Sequence, residues 1–182
     1  IGTDGVDGFV VNALNAGTMV TGGLTTTFSQ FESLDGRGGN DTFTVNDGIT
    51  LAGNINGGDG DDTFTILGTV GGNLDGGPGI DTLTFTGPGT GPGNVVGVIS
   101  NIERLIVGGT VNPDRIVVRL NAGTPNVEVE VTTLGVTTVQ TFFQPPAVPT
   151  VTMFVNASDD DDTLIIDHSN GFADVDIVFD GQ

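Results

Sequence analysis

Nine residues, Gly57-Gly58-Asp59-Gly60-Asp61-Asp62-Thr63-Phe64-Thr65, constrain the fold more than any other stretch, because they recur along the chain. The pattern places glycines at positions one, two and four, Asp at six and a large apolar residue at eight. Aligned on that Asp, it returns from Gly76 to Thr84 (Asp81), from Gly36 to Thr44 (Asp41) with Arg37 in place of the second glycine and, more loosely, from Gly2 to Val10 (Asp7) with Thr3 there. Glycines permit a tight turn with left-handed backbone angles, turn carbonyls and the Asp can face a hard cation, and the apolar residue opens a short strand. Asp41 and Asp62 lie 21 residues apart, and Asp62 and Asp81 lie 19 apart. A period of about 20 residues predicts stacked units, each burying its apolar face only against its neighbours.

Within one period, Thr42-Phe43-Thr44-Val45 alternates, sending Phe43 and Val45 to one side and the threonines to the other. Phe43, Phe64 and Leu83 are then expected to stack inside at the ordinary strand spacing of about 4.8 Å. Ile49, Leu51 and Ile55, and then Ile66, Val70 and Leu74, supply the other short strands of each coil. The expected fold is all-β, a parallel β-helix or β-solenoid with coils of about 20 residues. The 31 glycines carry no Gly-X-Y period, which excludes collagen.

A longer repeat lies over the short one. Asp7-Gly8-Phe9-Val10-Val11 is echoed by Asp114-Arg115-Ile116-Val117-Val118, and Ser29-Gln30-Phe31-Glu32-Ser33-Leu34 by Ser100-Asn101-Ile102-Glu103-Arg104-Leu105. Asp41-Thr42-Phe43 returns as Asp162-Thr163-Leu164. We place a soft boundary at Asn112-Pro113, giving a first unit over 1–112 and a divergent second unit over 113–182. In the second unit Val127, Val129 and Val131 alternate with Glu128 and Glu130, and Leu134-Gly135 precedes Val136 to Phe143. This reads as an inserted β-hairpin with one wet face that projects from or caps the stack. Pro145, Pro146 and Pro149 end its pairing. No end cap is legible, and the piece reads as a slice of something longer.

Four arginines and no lysine stand against 23 acidic residues, a formal net charge of -19. Such a surface repels nucleic-acid phosphates and anionic lipids and gains from cations, so nucleic acid and membrane insertion are poor readings and an extracellular or cell-surface location is expected. No run approaches the roughly 20 apolar residues of a spanning helix. Cysteine is absent, so neither disulfides nor thiolate metal sites contribute.

The turns at Gly36, Gly57 and Gly76 resemble the calcium-binding repeats of the RTX (repeats-in-toxin, hemolysin-type) family over about 50 residues, Asp35 to Phe85. The wider text is similar to bacterial surface β-strand repeat proteins. The first resemblance implies Ca2+ as the cofactor, with carboxylates from Asp41, Asp62 and Asp81 and carbonyls from Gly36, Gly38, Gly57, Asp59, Gly76 and Pro78. Only one edge keeps the turn, so the ions would form a single column there. Ile80, where the family favours a polar residue, weakens the third turn. The competing reading makes each Asp an Asx-type backbone acceptor. The run Asp159 to Asp162 occupies a degenerate copy of the turn, and as a solvated charge run it need not bind calcium.

Parallel β-helices also host polysaccharide-active enzymes, which ranks below the structural readings. Adjacent carboxylates such as Asp61 and Asp62 point to opposite faces, no lysine is available as a lyase base, and Arg37, Arg104, Arg115 and Arg119 are scattered. His168 reads as a strand-end surface residue. Glu32 and Glu103, at matching points of the repeat, suggest corner hydrogen bonds. The expected function is therefore non-enzymatic: a calcium-stabilised repeat segment of a large secreted or cell-surface protein of adhesin or stalk type, whose exposed face or hairpin meets a glycan or protein. The alternative is a subunit of a self-assembling extracellular filament or surface layer, its partners being other copies of itself.

Overall fold

The computed structural model describes residues 2–85, 94–108, 112–120, 126–142, 151–157, 161–167, 169 and 175–181. Among these residues every regular element is a strand. His168, Asp159, Asp160, Phe143 and the prolines at 145, 146 and 149 lie outside them.

The chain opens with β1 (Asp7–Ala13), β2 (Ala16–Thr21) and β3 (Leu24–Ser29). Three similar passes follow: β4 (Leu34–Gly38), β5 (Thr42–Val45) and β6 (Thr50–Leu51); β7 (Ile55–Asp59), β8 (Thr63–Ile66) and β9 (Thr69–Val70); β10 (Leu74–Asp75), β11 (Thr82–Phe85) and β12 (Asn94–Val95). A fourth begins with β13 (Ile99–Ser100) and β14 (Arg104–Gly108). Then come β15 (Asp114–Leu120), β16 (Val127–Thr133), β17 (Val136–Phe142), β18 (Val151–Ala157), β19 (Thr163–Asp167) and β20 (Val175–Gly181).

Each pass gives one strand to each of three sheets. The first sheet runs β20-β18-β14-β11-β8-β5-β1-β2-β3, the second β19-β15-β16-β17-β13-β10-β7-β4, and the third β12-β9-β6. Neighbouring passes pair in parallel and in register, so equivalent residues stack. Phe9, Phe43, Phe64, Leu83, Leu105, Met153 and Ile177 form one such column. Leu34, Ile55, Leu74 and Ile99 form a second, and Leu51, Val70 and Val95 a third. Nearly all of these side chains are buried in one continuous core, Ile177 being packed against its margin. The period of about 20 residues thus becomes a core, because the apolar member of each short strand always meets its equivalent.

The rings obey the same geometry. Phe43 stacks on Phe64 with centroids 5.1 Å apart, as the sequence spacing led us to expect, and Phe9 extends the stack onto Phe43 at 4.8 Å. Thr42, Thr63 and Thr82 line up on the other face of the sheet.

The long repeat is also visible. β1-β2-β3 and β15-β16-β17 are both antiparallel three-stranded meanders. The first strand of each pairs in parallel with the following Asp-Thr strand, β1 with β5 and β15 with β19. The two meanders sit in different sheets, so the second unit repeats the first with its faces exchanged. Strands on either side of Asn112-Pro113 pair directly, β14 with β18. The β16–β17 hairpin forms at Leu134-Gly135, whose φ angles of 50° and 79° suit the tight left-handed turn between twisted strands. It corrects one expectation: the hairpin neither projects nor caps the stack but lies within the second sheet, between β15 and β13. Burial of Val127, Val129 and Val131 on one face dictates that position. The opposite face carries Glu128 and Glu130, which pair with Arg119 and Arg115 of β15.

Candidate functional site

The glycine turns bring the sixth-position aspartates into one buried column. Asp7, Asp41, Asp62 and Asp81 are all at most 1% exposed. The Asp7 amide donates to Asp41 Oδ1, the Asp41 amide to Asp62 Oδ1 and the Asp62 amide to Asp81 Oδ1, each at 2.7 Å. The Asp81 amide donates to Glu103 Oε2 at 2.8 Å, so Glu103 occupies the next place in the ladder. Each carboxylate therefore satisfies a backbone donor of the preceding pass, at the corner where the turn breaks sheet pairing. This is a corner hydrogen bond made across passes rather than within one turn. Glu32 serves a neighbouring pass through its backbone, its carbonyl accepting from Gly53 at 2.7 Å.

The second oxygen has no such partner. Oδ2 of Asp41, Asp62 and Asp81 is buried without a hydrogen bond. It sits where a glycine lacks a side chain: a Cβ at Gly36 or Gly57 would lie 2.1 Å from the Oδ2 of Asp41 or Asp62, and one at Gly76 would lie 2.6 Å from that of Asp81. At Gly57 the same point is 2.4 Å from the carbonyl oxygen of Gly76. Orphaned carboxylate oxygens in a water-poor corner disfavour ionisation. Burial pushes the Asp81 carboxyl up to about 7 and the Asp41 carboxyl up to about 6; the amide bond to each works the other way, and neighbouring carboxylates add to the rise. Asp62 is raised for the same reason, burial first, with Asp61 adding repulsion.

The structure brings the expected ligand carboxylates together in one column at one edge. Several of the expected carbonyls also hold passes together: Asp59 accepts from the Gly39 amide at 2.8 Å, Gly76 from Gly58 at 3.1 Å and Pro78 from Gly60 at 3.0 Å. Among the described residues no three His, Cys, Asp or Glu side chains converge on a point. The donors left over are the three orphan Oδ2 atoms and second lone pairs of turn carbonyls, an all-oxygen set that suits a hard divalent cation in chemical type. Asp7 closes the column at its end, its Oδ2 accepting from the Thr3 amide at 2.5 Å.

A shorter column repeats the device in the second unit. The Asp114 amide donates to Asp162 Oδ1 at 2.8 Å, the Thr133 hydroxyl donates to Asp114, and Oδ2 of Asp162 is again orphaned. Within the acidic run, Asp161 is exposed while Asp162 belongs to the ladder.

Further corners went unread in the sequence. Asn54 accepts from the Asn73 amide at 2.8 Å and Asn73 from Val98 at 2.9 Å. Asn40 accepts from the Asp61 amide at 3.1 Å and Asp61 from Ile80 at 2.9 Å. The 19-residue spacing of Asn54 and Asn73, equal to that of Asp62 and Asp81, was the available signal. Of the four arginines, Arg115 and Arg119 meet at Glu130, and the Arg104 guanidinium lies 5.5 Å from the Phe154 ring centroid.

These asparagines predict how the carboxylate column responds to substitution. Asp62→Asn keeps the acceptor for the Asp41 amide and removes a charge that burial disfavours, so in chelator at neutral pH it should melt at or above the unaltered chain. Asp62→Ala strands that amide and should lose about 1–3 kcal/mol. Equal losses in the two variants on thermal melting would refute the ladder role.

Comparison with family models, curated proteins and solved structures returned no match.

Proposed function

We propose that the chain is a non-enzymatic structural repeat segment of a large secreted or cell-surface protein of adhesin or stalk type, wound as a parallel β-solenoid and stabilised by calcium on its acidic column. The observation that carries this reading is the ladder. The aspartates that would attract attention as catalytic groups are buried, and the carboxylates of Asp41, Asp62 and Asp81 each accept from the backbone of the preceding pass. That is a load assigned to structure. The three sheets, each fed once per pass, would be the solenoid's faces.

Calcium enters through the orphan oxygens of Asp41, Asp62 and Asp81 and the likeness of the turns to RTX repeats. Its chemistry there would be to neutralise stacked carboxylates that otherwise repel one another across low-dielectric surroundings. The net charge of -19 fits a location where divalent cations are plentiful.

The test couples pH to calcium. In chelator the folded carboxyls hold protons above their ordinary value of 3.8, so their contribution to stability is full below that pH and is lost as pH rises through about 6 for Asp41 and about 7 for Asp81. For Asp41 alone the difference corresponds to about 3 kcal/mol. The calcium-free chain should therefore melt lower at neutral than at mildly acidic pH, by about 10 °C. Millimolar calcium should restore the loss at neutral pH and do little in acid. If calcium leaves the neutral-pH melting point unchanged, the metal part of the reading fails; if pH leaves it unchanged as well, the column is not charge-strained.

A further inference from the structure

The outward face of the first sheet is a two-dimensional array of threonines. Thr42-Phe43-Thr44, Thr63-Phe64-Thr65 and Thr82-Leu83-Thr84 occupy three successive passes. Strict register stacks Thr42, Thr63 and Thr82 in one row and Thr44, Thr65 and Thr84 in a second. Burial of Phe43, Phe64 and Leu83 turns both rows to the outside, where Thr42 and Thr63 are exposed. Through Gly8 and Val10 of β1 the rows run on into the first meander, where Thr18 and Thr27 extend the second of them.

Two properties set this face apart. The first is charge: on a chain of net charge -19, the two rows carry no ionic side chain from β3 as far as β11, and Arg104 of β14 is the first they meet. The second is flatness. Phe9, Phe43 and Phe64 tilt by 5° and 9° from ring to ring, against about 20–25° between strands of an ordinary twisted sheet. The array is therefore regular, with about 4.8 Å between threonines of neighbouring passes and about 6.6 Å between the two of one strand. β-Branching leaves each threonine few rotamers, so hydroxyl and methyl repeat with the backbone.

Both repeats lie close to oxygen spacings in the lattice of hexagonal ice. A partner without charge that presents donors and acceptors at fixed intervals matches such a face, and hydroxyls already held at those intervals lose little freedom on meeting it. Ionic ligands find no counter-charge between β3 and β11, and sugar rings find no aromatic platform. The aromatic, Met and Arg side chains that mark protein interfaces are missing from the same stretch of both rows.

We propose that the threonine face binds ice, its two rows seating on the surface of a growing crystal. The inference goes beyond the stalk reading and depends on the register of β5, β8 and β11 rather than on calcium.

Growing ice slowly from a dilute solution of the full chain tests this. The chain should be taken up into the ice, while an unrelated acidic protein of similar size stays in the liquid. Thr63→Tyr, at the centre of the array, should abolish uptake, and Thr65→Glu should do the same by placing a charge there. Thr69→Tyr, which pairs with Thr50 in the third sheet, should leave uptake unchanged. Melting curves should show all three variants folded; should the two bulkier changes on the array not fold, Thr63→Ser removes a single methyl from it and should reduce uptake. Exclusion of the unaltered chain from ice overturns the proposal, and so does undiminished uptake of folded Thr63→Tyr or Thr63→Ser. If the unaltered chain stays in the liquid and sediments as a dimer that Thr63→Tyr separates, the face serves a second copy and the proposal is likewise overturned.

Discussion

Truncating Phe43 to alanine should destabilise the protein by about 3–5 kcal/mol, lowering the melting point by roughly 10 °C or more. Phe43 is the middle ring of three, fully buried, with Phe9 on one side at 4.8 Å and Phe64 on the other at 5.1 Å, the planes 5° and 9° from parallel. Backbone pairing on both sides fixes the distance between passes, so the stack cannot collapse to fill the space. Phe43→Leu should lose much less, about 1–2 kcal/mol, since Leu83 already occupies the same column two passes on. Denaturant unfolding of both variants checks this, and a loss below about 1 kcal/mol for Phe43→Ala would mean that the column does not carry the core.

Gly57→Ala should be at least as damaging, about 3 kcal/mol or more, for a different reason. Its Cβ would land 2.1 Å from Asp62 Oδ2 and 2.4 Å from the Gly76 carbonyl oxygen. The carboxylate is held by the Asp41 amide and the carbonyl by the Gly58 amide, so neither has freedom to retreat. Gly22 gives the contrast: it has a φ of +54° but open space around a Cβ, so Gly22→Asn, which tolerates that backbone, should cost little. If both substitutions melt alike, the Asp62 carboxylate and the Gly76 carbonyl move aside readily and the room glycine leaves at 57 is not what the turn requires.

The repeat spacing made the stacked Phe43, Phe64 and Leu83 legible, as did the alternation around Val127 to Val131 for the second hairpin. Those signals are local or periodic. The hairpin between β2 and β3 lies outside the period of about 20 residues, and Gly22-Gly23 between strand-forming runs is its only local mark. Sheet exchange between the units could not be read, since it depends on β14 pairing with β18 across 48 residues of sequence. At the candidate site the sequence identified the aspartates as a column and offered a backbone-acceptor role within the turn, but not that the amide each one serves belongs to the preceding pass. A cation ligand and a corner acceptor call for the same residue in the same turn, and only the bond from each amide to the next Oδ1 distinguishes how that oxygen is used. Asn54 and Asn73 show the principle without charge.

Parallel pairing between passes also decides how the molecule yields to mechanical force. The ladder bonds joining β5 to β8 and β8 to β11 run along the direction in which passes succeed one another, from the β3 edge toward β20. Tension between those ends loads the bonds of one interface at a time, opening them as a zip rather than shearing many together. A released pass of 19 to 21 residues, the spacing of Asp41, Asp62 and Asp81, frees about 70 Å of chain. A stalk built this way would lengthen in nearly equal steps whose size was set by the distance between aspartates.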